Sequence, residues 1–213
     1  MINQPLSVEP EATRDAAAVR RRILDAAFEA FTESGYAATS TLAIATRARV
    51  SKRELYTLVG NKKEMLVACI SGRAERLQIP ADFPAPTDRD SFAEALTSFG
   101  TQTLREISDA RVVAVFRLAI AEAIHAPEVA QTLDAIGRET TRAALRQIMM
   151  SAHTAGLIEG RPADLAEQFG DLLWGNLMVS LLLGVTERPT ARAAAARARA
   201  ATTAFLQLHP AME

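Results

Sequence analysis

The stretch STLAIATRARVSKRELYTLVG, residues 40–60, contains two short helical patterns separated by a very short break. Ser40 and Ser51 each precede one pattern, where a serine side chain can cap the free amides of a helix N-terminus. Glu54 follows Ser51 by three residues, which is the spacing of a capping box. Two short helices joined by a tight turn are typical of a helix-turn-helix, whose second helix enters the major groove of DNA.

Basic side chains are concentrated in the same region. Residues 47–65 contain six Lys or Arg and only two acids, although the net charge of the chain is −1. Residues 14–76 have twelve basic and seven acidic side chains, whereas residues 77–213 have twelve and sixteen. Phosphate neutralisation supplies much of the affinity for DNA, so this imbalance predicts a DNA-binding first third. A solvated basic surface is the alternative if the charge is considered alone.

Apolar spacing predicts which side of each short helix faces inward. A small core is expected from five residues: Leu42, Ile44, Ala45, Val50 and Leu55. The polar residues of the second helix then lie on or near its outer face. Asn61 and Glu64 repeat the capping pattern and predict a further helix from Lys62 to about Leu77.

The remainder of the chain predicts an all-α protein of about nine helices. Pro127, Pro162 and Pro189 each precede a long helical pattern, a position that suits proline. The long patterns cover residues 90–107, 109–124, 127–155, 162–184 and 189–207. The expected organisation is a disordered arm (1–13), a three-helix helix-turn-helix DNA-binding domain (14–62) and a larger helical bundle (63–213).

The chain resembles a known family over these segments. RRRILDAAFEAFTESGY (20–36) and TSTLAIATRARVSKRELYTLVGNKKEML (39–66) resemble the DNA-binding domain of the tetracycline-repressor (TetR) family. FRLAIAEAIHAPEVAQTL (116–133) and GLIEGRPADLAEQFGDLLWGNL (156–177) resemble the AefR-type C-terminal domain of that family. The resemblance implies a DNA-binding transcriptional regulator with an all-helical effector domain.

The resemblance also implies roles for individual residues of the DNA-binding domain. Phosphate contacts are implied for Ser40, Thr41, Tyr56 and Lys62. Base contacts are implied for Lys52, Arg53 and Thr57. Tyr56 fits equally well as an aromatic residue at the edge of the core.

Three positions depart from the family pattern. Arg49 stands in the turn where glycine is usual, Leu58 stands where an aromatic residue is usual, and Glu54 replaces a small polar residue. Arginine adopts a positive φ only at a cost, so the turn is expected to differ. Arg49 and Glu54 support the alternative that the chain is a helical ligand-binding or interaction protein with weak or lost DNA binding.

The larger half predicts a pocket and an interface. Residues 162–184 and 189–207 are expected to pack against their two-fold mates as a four-helix homodimer interface, because LLWGNLMVSLLLG (172–184) is apolar nearly all round. Seven residues are expected to surround a pocket for a hydrophobic or aromatic effector: Phe99, Phe116, Ile120, Met149, His153, Phe169 and Trp174. Each of the seven alone also fits an ordinary core position.

Enzyme, cofactor and metal sites are not expected. Glu122 and His125 have a spacing found in di-iron bundles, but such sites need a second pair, and the chain has three His in all. The single cysteine, Cys69, has apolar neighbours and predicts a buried small residue. The most apolar stretch, 169–185, is too short for a membrane span and predicts a helix buried in protein. The first fifteen residues have neither an apolar segment nor a transit-peptide pattern, so a cytoplasmic protein is expected.

The family resemblance implies that residues 63–213 form a ligand-binding and dimerisation domain. Together with the patterns above it predicts a ligand-responsive repressor that binds a palindromic operator as a homodimer. The two recognition helices would lie about 34 Å apart, one helical turn of DNA. Effector binding would favour a distance between the two DNA-binding domains that does not fit adjacent major grooves. The fourth helix, which begins at Lys62, is the expected hinge.

Overall fold

The computed structural model describes residues 11–74 and 85–210, apart from the side chains of residues 11–14 and 73. Within these ranges the chain forms eleven α-helices and one π-helical turn. The first four helices are α1 (Glu11–Ser34), α2 (Thr41–Ala48), α3 (Lys52–Leu58) and α4 (Lys62–Ala74). They are followed by α5 (Arg89–Ile107), α6 (Ala110–Ala121), α7 (Pro127–Thr132), the π turn (Leu133–Arg138), α8 (Glu139–Thr154), α9 (Pro162–Trp174), α10 (Leu177–Leu183) and α11 (Ala191–Leu208).

The predicted all-α class is confirmed, but two of the long predicted helices consist of shorter elements. The predicted helix over 127–155 consists of α7, the π turn and α8 in one continuous run. The predicted helix over 162–184 breaks at Gly175, whose φ is 45°. Arg197 of α11 donates to the carbonyls of Leu173 and Trp174, which the break leaves without helical partners.

The two ends of the predicted first domain also differ from expectation. Helix α1 begins at Glu11, so residues 11–13 of the predicted disordered arm are helical, and residues 1–10 lie outside the described residues. The predicted end of the fourth helix, near residue 77, also lies outside them. Side chains of α4 pack into the same apolar cluster as α1, α2 and α3, across the predicted boundary at residue 62.

Helices α1, α2 and α3, called the head below, pack around a small apolar core. Phe31, Ile44 and Leu55 are at most 1% exposed, and Ala45 is 2% exposed. Leu42, predicted to belong to this core, is instead 62% exposed. Residue 42 lies in the first turn of α2, two positions before Ile44, and therefore points to the opposite side of the helix.

The turn between α2 and α3 has the backbone geometry that glycine usually supplies. Arg49 has φ 54° and ψ 49°, which is left-handed, and its amide donates to carbonyls of the last turn of α2. The Val50 amide closes the turn on the Ala45 carbonyl at 3.0 Å. The expectation that Arg49 changes the turn is therefore wrong, since arginine adopts the left-handed conformation here.

A second core holds the larger bundle together. Helices α5, α8, α9 and α11 bury Phe92, Met149, Phe169 and Phe205 at 0% exposure. The rings of Phe169 and Phe205 meet edge to face with centroids 5.6 Å apart, a favoured aromatic geometry. Helices α6 and α7 contribute instead to the cluster of the head.

No helix within residues 11–74 or 85–210 combines the length and apolar content that crossing a bilayer requires.

Arg49→Gly is expected to stabilise the protein. A non-glycine residue in the left-handed region costs about 1 kcal/mol, and glycine removes that cost. The melting temperature should rise by about 2–4 °C. Ala43→Gly is the matched control, because residue 43 is exposed in α2, where glycine should cost about 1 kcal/mol. Thermal unfolding followed by circular dichroism tests both variants. A lower melting temperature for Arg49→Gly would show that the left-handed conformation of Arg49 is not strained.

Candidate nucleic-acid interface and cavity

Helix α3 is oriented by one buried residue and one cap. Leu55 is 0% exposed and anchors the inner side of the helix. The Ser51 hydroxyl accepts a hydrogen bond from the Glu54 amide at 3.1 Å, as predicted for an N-cap. Arg53 and Thr57 lie two positions either side of Leu55 and consequently face away from the core.

The predicted DNA-contacting residues of α2 and α3 lie on one surface, on which Thr41 is half-buried. Thr41 Oγ1 is 3.4 Å from the hydroxyl of Tyr56, and Lys52 Nζ is 5.9 Å from the centre of the Tyr56 ring. Tyr56 is 44% exposed, so it is not a buried core residue. The Ser40 hydroxyl caps α2 by accepting from the Ala43 amide at 3.1 Å.

Thr57 and Arg53 complete that surface. Both side chains are exposed, and the Thr57 hydroxyl donates to the Arg53 carbonyl at 3.0 Å. The structure thus brings together six of the seven residues for which DNA contacts are predicted: Ser40, Thr41, Lys52, Arg53, Tyr56 and Thr57. Their contacts with DNA remain predictions.

Lys62, the seventh residue, is directed elsewhere. Its ammonium donates to the carbonyl oxygens of Tyr36 at 3.0 Å, Thr39 at 3.2 Å and Ala37 at 3.4 Å. It also lies 4.4 Å from the centre of the Tyr36 ring. An ammonium has three donors, and here all three point at the loop between α1 and α2 rather than outward. The predicted phosphate contact would require a different arrangement of this side chain.

Arg47 is also held by other groups of the chain. Its guanidinium lies 2.6 Å from the Glu33 carboxylate and 3.8 Å from that of Glu29, both on α1. The hydrogen bond from Arg47 lowers the pKa of Glu33 below its ordinary value. Of the six basic residues between 47 and 65, four remain exposed without an ion pair to any described residue: Arg49, Lys52, Arg53 and Lys63.

The two predicted capping boxes differ in completeness. The Asn61 amide donates to the Glu64 carboxylate at 2.6 Å, and the Asn61 side chain accepts from the Glu64 amide at 3.1 Å. At α3 the Ser51 half is present, while the exposed carboxylate of Glu54 makes no hydrogen bond to any described residue. Glu54 therefore contributes an acidic group to the surface of α3.

A cavity of about 1230 Å³ lies between the head and the larger bundle. Its walls come from α1, from α4 through α10 and from the π turn. Four of the seven predicted pocket residues line it: Phe99, Phe116, Ile120 and Trp174. Ile120 is 62% exposed, so the cavity opens to solvent beside α6.

The other three predicted pocket residues do not line this cavity. Met149 and Phe169 are fully buried in the core of the larger bundle, and His153 is exposed near the end of α8. The last α8 residues to line the cavity are Leu145 and Arg146. Met149 and His153 lie one and two turns farther along the helix, beyond the end of the cavity.

Charged residues contribute more to the cavity wall than the apolar sequence patterns indicate. Five arginines and five acids line it: Arg21, Arg111, Arg138, Arg142, Arg146, Asp25, Glu106, Asp134, Glu167 and Asp171. Arg111 pairs with Asp25 at 2.7 Å, and Asp134 pairs with Arg138 at 2.8 Å and with Arg142 at 3.3 Å. Arginines at positions 138, 142 and 146 recur every four residues, a spacing that indicates one charged side of a helix and is visible in the sequence.

Cys69 also lines the cavity, and it is not a reactive thiol. Burial raises its pKa to about 12, because the thiolate would lose its hydration. The thiol donates weakly to the Leu24 carbonyl, 3.6 Å away. Cys69 is thus a small, protonated wall residue, as its apolar neighbours predict.

Glu122, at the end of α6, connects the cavity wall to the head. It is 8% exposed, and its Oε1 atom accepts a hydrogen bond from the Ala37 amide at 3.2 Å. Gly35 has φ 84°, and a Cβ atom there would lie 2.6 Å from the same oxygen. His125 is exposed, and no cluster of three potential metal ligands occurs in the described ranges.

Two family descriptions match the chain. Residues 23–69 match the bacterial regulatory proteins of the tetR family. Residues 94–209, more than half of the chain, match the C-terminal domain of AefR-like transcriptional repressors. No curated protein matches the chain.

Solved structures share the fold along most of their length. The flavonoid-responsive regulator FrrA is 30% identical with a TM-score of 0.73, and the match covers 91% of this chain and 97% of FrrA. A TetR regulator from Agrobacterium tumefaciens is 26% identical with a TM-score of 0.72, covering 89% of this chain and 94% of its own. A TetR-family regulator from Mesorhizobium loti MAFF303099, at 22% identity, a TM-score of 0.70 and 91% and 98% coverage, shows the same fold. The chain therefore belongs to the TetR family of DNA-binding transcriptional regulators, which is not a family of enzymes.

Proposed function

We propose that this regulator is a ligand-responsive repressor that acts in the cytoplasm as a homodimer on a palindromic operator. The observation that supports the proposal best is that two helices border both the cavity and the head. Helices α4 and α6 contribute to the wall of the cavity and also to the apolar cluster that includes the head. A molecule that fills the cavity would therefore press on the two helices against which the head rests.

Helix α3 is proposed to lie in the major groove. Arg53 is exposed on the side of α3 opposite Leu55, where a guanidinium can donate two hydrogen bonds to guanine. Thr41 and Tyr56, whose hydroxyls are neighbours, would contact the phosphates that border the groove. The left-handed Arg49 retains the helix-turn-helix geometry and removes one argument for a head that has lost DNA binding.

Helices α9, α10 and α11 are proposed to form the homodimer interface. Val179 is 57% exposed and Leu183 71%, and the two lie one turn apart on α10, away from the cavity-lining Met178 and Leu182. A row of small exposed residues follows α11: Ala193, Ala196, Ala200 and Thr203. Side chains of this size would allow helices of two chains to approach closely, as a four-helix interface requires.

The effector is proposed to be a hydrophobic or aromatic molecule without net charge. Phe99, Phe116 and Trp174 supply aromatic wall area, and the lining arginines and acids are equal in number. An ionised ligand would therefore lose hydration without an excess of opposite charge to compensate. The 30% identical FrrA is flavonoid-responsive, which is compatible with an aromatic effector here.

Thr103 is proposed as a polar anchor in the apolar part of the cavity. It lines the cavity, is 1% exposed, and its hydroxyl has no hydrogen-bond partner among the described residues. The other buried threonines differ, since Thr39 and Thr132 donate to carbonyls and Thr202 accepts from Thr97. A buried hydroxyl without a partner costs about 1–3 kcal/mol, a cost that an effector oxygen would remove.

Effector binding is proposed to act as a population shift. The distance between the two heads of the dimer differs between conformations. A ligand that fits the cavity better in one conformation increases the population of that conformation. Helix α4 remains the proposed hinge, because it begins beside the head at Lys62 and lines the cavity along Ala68, Cys69 and Ile70. Only a difference in affinity for the two states can release DNA.

Arg53→Ala is expected to reduce sequence preference. The DNA probes are duplexes enriched from a random pool by the wild-type protein and duplexes from the unselected pool. The ratio of the two affinities should fall about tenfold, because a bidentate base contact is worth roughly 1–3 kcal/mol. Arg47→Ala is the matched control, since Arg47 already binds Glu33, and its ratio should not change. An unchanged ratio for Arg53→Ala would show that Arg53 does not read bases.

Leu183→Glu is expected to dissociate the homodimer. A carboxylate buried at the interface without a partner should raise the dimer Kd about 100-fold or more. Ile124→Glu is the matched control, since Ile124 is 87% exposed but lies in the corner between α6 and α7. Sedimentation equilibrium measures both, and an unchanged Kd for Leu183→Glu would exclude this face of α10 from the interface.

Thr103→Val is expected to stabilise the free protein and weaken binding of oxygen-bearing ligands. Valine keeps the shape but removes the buried hydroxyl, so the free energy of unfolding should rise by about 1 kcal/mol. The ligand probes are 4-phenylphenol and 4-methylbiphenyl, and fluorescence of Trp174, the only tryptophan, reports binding. Thr103→Val should weaken only the phenol, by about tenfold.

The control for Thr103→Val is a substitution at a second buried hydroxyl that lacks a hydrogen-bond partner. Ser108 is also buried without a hydrogen-bond partner in the described structure, and it does not line the cavity. Ser108→Ala should therefore leave both affinities unchanged. Equal loss of both ligands in Thr103→Val would contradict the anchor, and no binding of either ligand to the wild type would contradict the effector cavity itself.

A further inference from the structure

The loop between α1 and α2, residues 35–40, is held by charged side chains from two other helices. Lys62, the first residue of α4, donates to the carbonyls of Tyr36, Ala37 and Thr39. Glu122, which follows α6, accepts from the Ala37 amide. The cation binds carbonyl oxygens and the carboxylate binds an amide, so each charge meets backbone groups of opposite polarity.

Lys62 is fully engaged in this contact. The three distances to carbonyl oxygens lie between 3.0 and 3.4 Å, and the Tyr36 ring adds a cation–π contact at 4.4 Å. Tyr36 is itself fixed, since it is 4% exposed and its ring lies 5.2 Å from that of Phe31 in the core of the head. A phosphate could bind Lys62 only by displacing at least one of the carbonyls.

Glu122 fits closely against the other side of the loop. Its carboxylate is nearly excluded from water, and the space beside it is available because residue 35 is glycine. Any Cβ at residue 35 would lie 2.6 Å from Oε1, closer than such atoms can approach. An acid at the C-terminal end of a helix is unfavourable for the helix dipole, so the bond to Ala37 has to offset that cost.

The loop that these two residues hold leads directly into the proposed DNA surface. Thr39 closes it by donating to the carbonyls of Gly35 at 2.7 Å and Ala30 at 3.0 Å. Ser40 caps α2, and Thr41 meets Tyr56 of α3. A shift of the loop would therefore move the start of α2 and, through Thr41, the exposed side of α3.

We propose that Lys62 and Glu122 are positioning residues for DNA binding. They clamp the loop between α1 and α2 from α4 and from the end of α6, and thereby set where α2 and α3 meet the DNA. Lys62 acts through the loop carbonyls and not through a phosphate. The proposal depends on DNA binding by the head and does not require the cavity to bind an effector.

The test is the salt dependence of DNA affinity, measured with random duplexes well below the melting temperature of each variant. The logarithm of DNA affinity falls linearly with the logarithm of salt concentration. Loss of one phosphate contact reduces the magnitude of that slope by about 0.9. Lys62→Met and Glu122→Ala should each weaken DNA binding about tenfold with no change in slope, because neither removes a phosphate contact. A slope reduced by about 0.9 in Lys62→Met would show a phosphate contact and overturn the proposal.

Two matched variants separate positioning from a general loss of structure. Lys63→Met removes an exposed cation beside Lys62 and should lower the slope if Lys63 meets a phosphate, without disturbing the loop. Glu122→Gln keeps an acceptor for the Ala37 amide and should recover most of the affinity that Glu122→Ala loses. Unchanged affinity in both Lys62→Met and Glu122→Ala, or no recovery in Glu122→Gln, would contradict the clamp.

Hydrogen exchange provides a readout that does not depend on DNA. The Ala37 amide should exchange about tenfold faster in Glu122→Ala than in the wild type, because its acceptor is lost. Exchange in the middle of α1 should not change. Equal exchange of Ala37 in both proteins would show that Glu122 does not hold the loop.

Discussion

Burial of Leu55 in the middle of α3 is the constraint on which the DNA-binding surface depends. With this side chain 0% exposed against Ile44 and Phe31, the rotation of α3 about its own axis is determined. The helical repeat then directs Arg53 and Thr57 away from the core and brings Tyr56 beside Thr41 of α2. A polar residue at position 55 would remove the contact that orients all of these groups.

The basic residues of the head divide into two groups with different physical roles. Arg47 and Lys62 bind a carboxylate and backbone carbonyls of the chain itself, so their charges stabilise the head. Lys52 and Arg53 remain exposed and supply positive potential where DNA would lie. A count of charges in the sequence does not separate these groups, because the division depends on which acceptors the fold brings near each cation.

Much of the head could be predicted from local patterns, since its helices are short and each cap is encoded within four residues. Ser51 and Asn61 cap their helices as the spacing predicts, and Leu55 is buried as its period predicts. The prediction that Leu42 faces the core is wrong, because an apolar residue in a short amphipathic helix does not by itself show the direction in which it points. Arg49 shows that the local hydrogen bonds of a helix C-cap can hold an arginine in the left-handed conformation that is usual for glycine.

The cavity was less predictable because its walls come from helices that are distant in sequence. Phe116 and Trp174 line it, but Met149 and Phe169, equally apolar, fill the core of the larger bundle. The difference depends on where α8 and α9 approach each other. That contact cannot be predicted from the spacing of residues within either helix. Glu122 gave an available signal, since an acid at a helix C-terminus is unfavourable without a partner and therefore indicates one.

Methylation interference on a duplex enriched by the wild-type protein can locate the two recognition helices on DNA. Guanine N7 lies in the major groove, so methylation there blocks a recognition helix that reads bases in that groove. Two patches of interference are expected, separated by one helical turn, about 34 Å, on the same side of the duplex. Interference confined to the minor groove, or a single patch at saturating protein, would contradict a dimer that presents two α3 helices to adjacent major grooves.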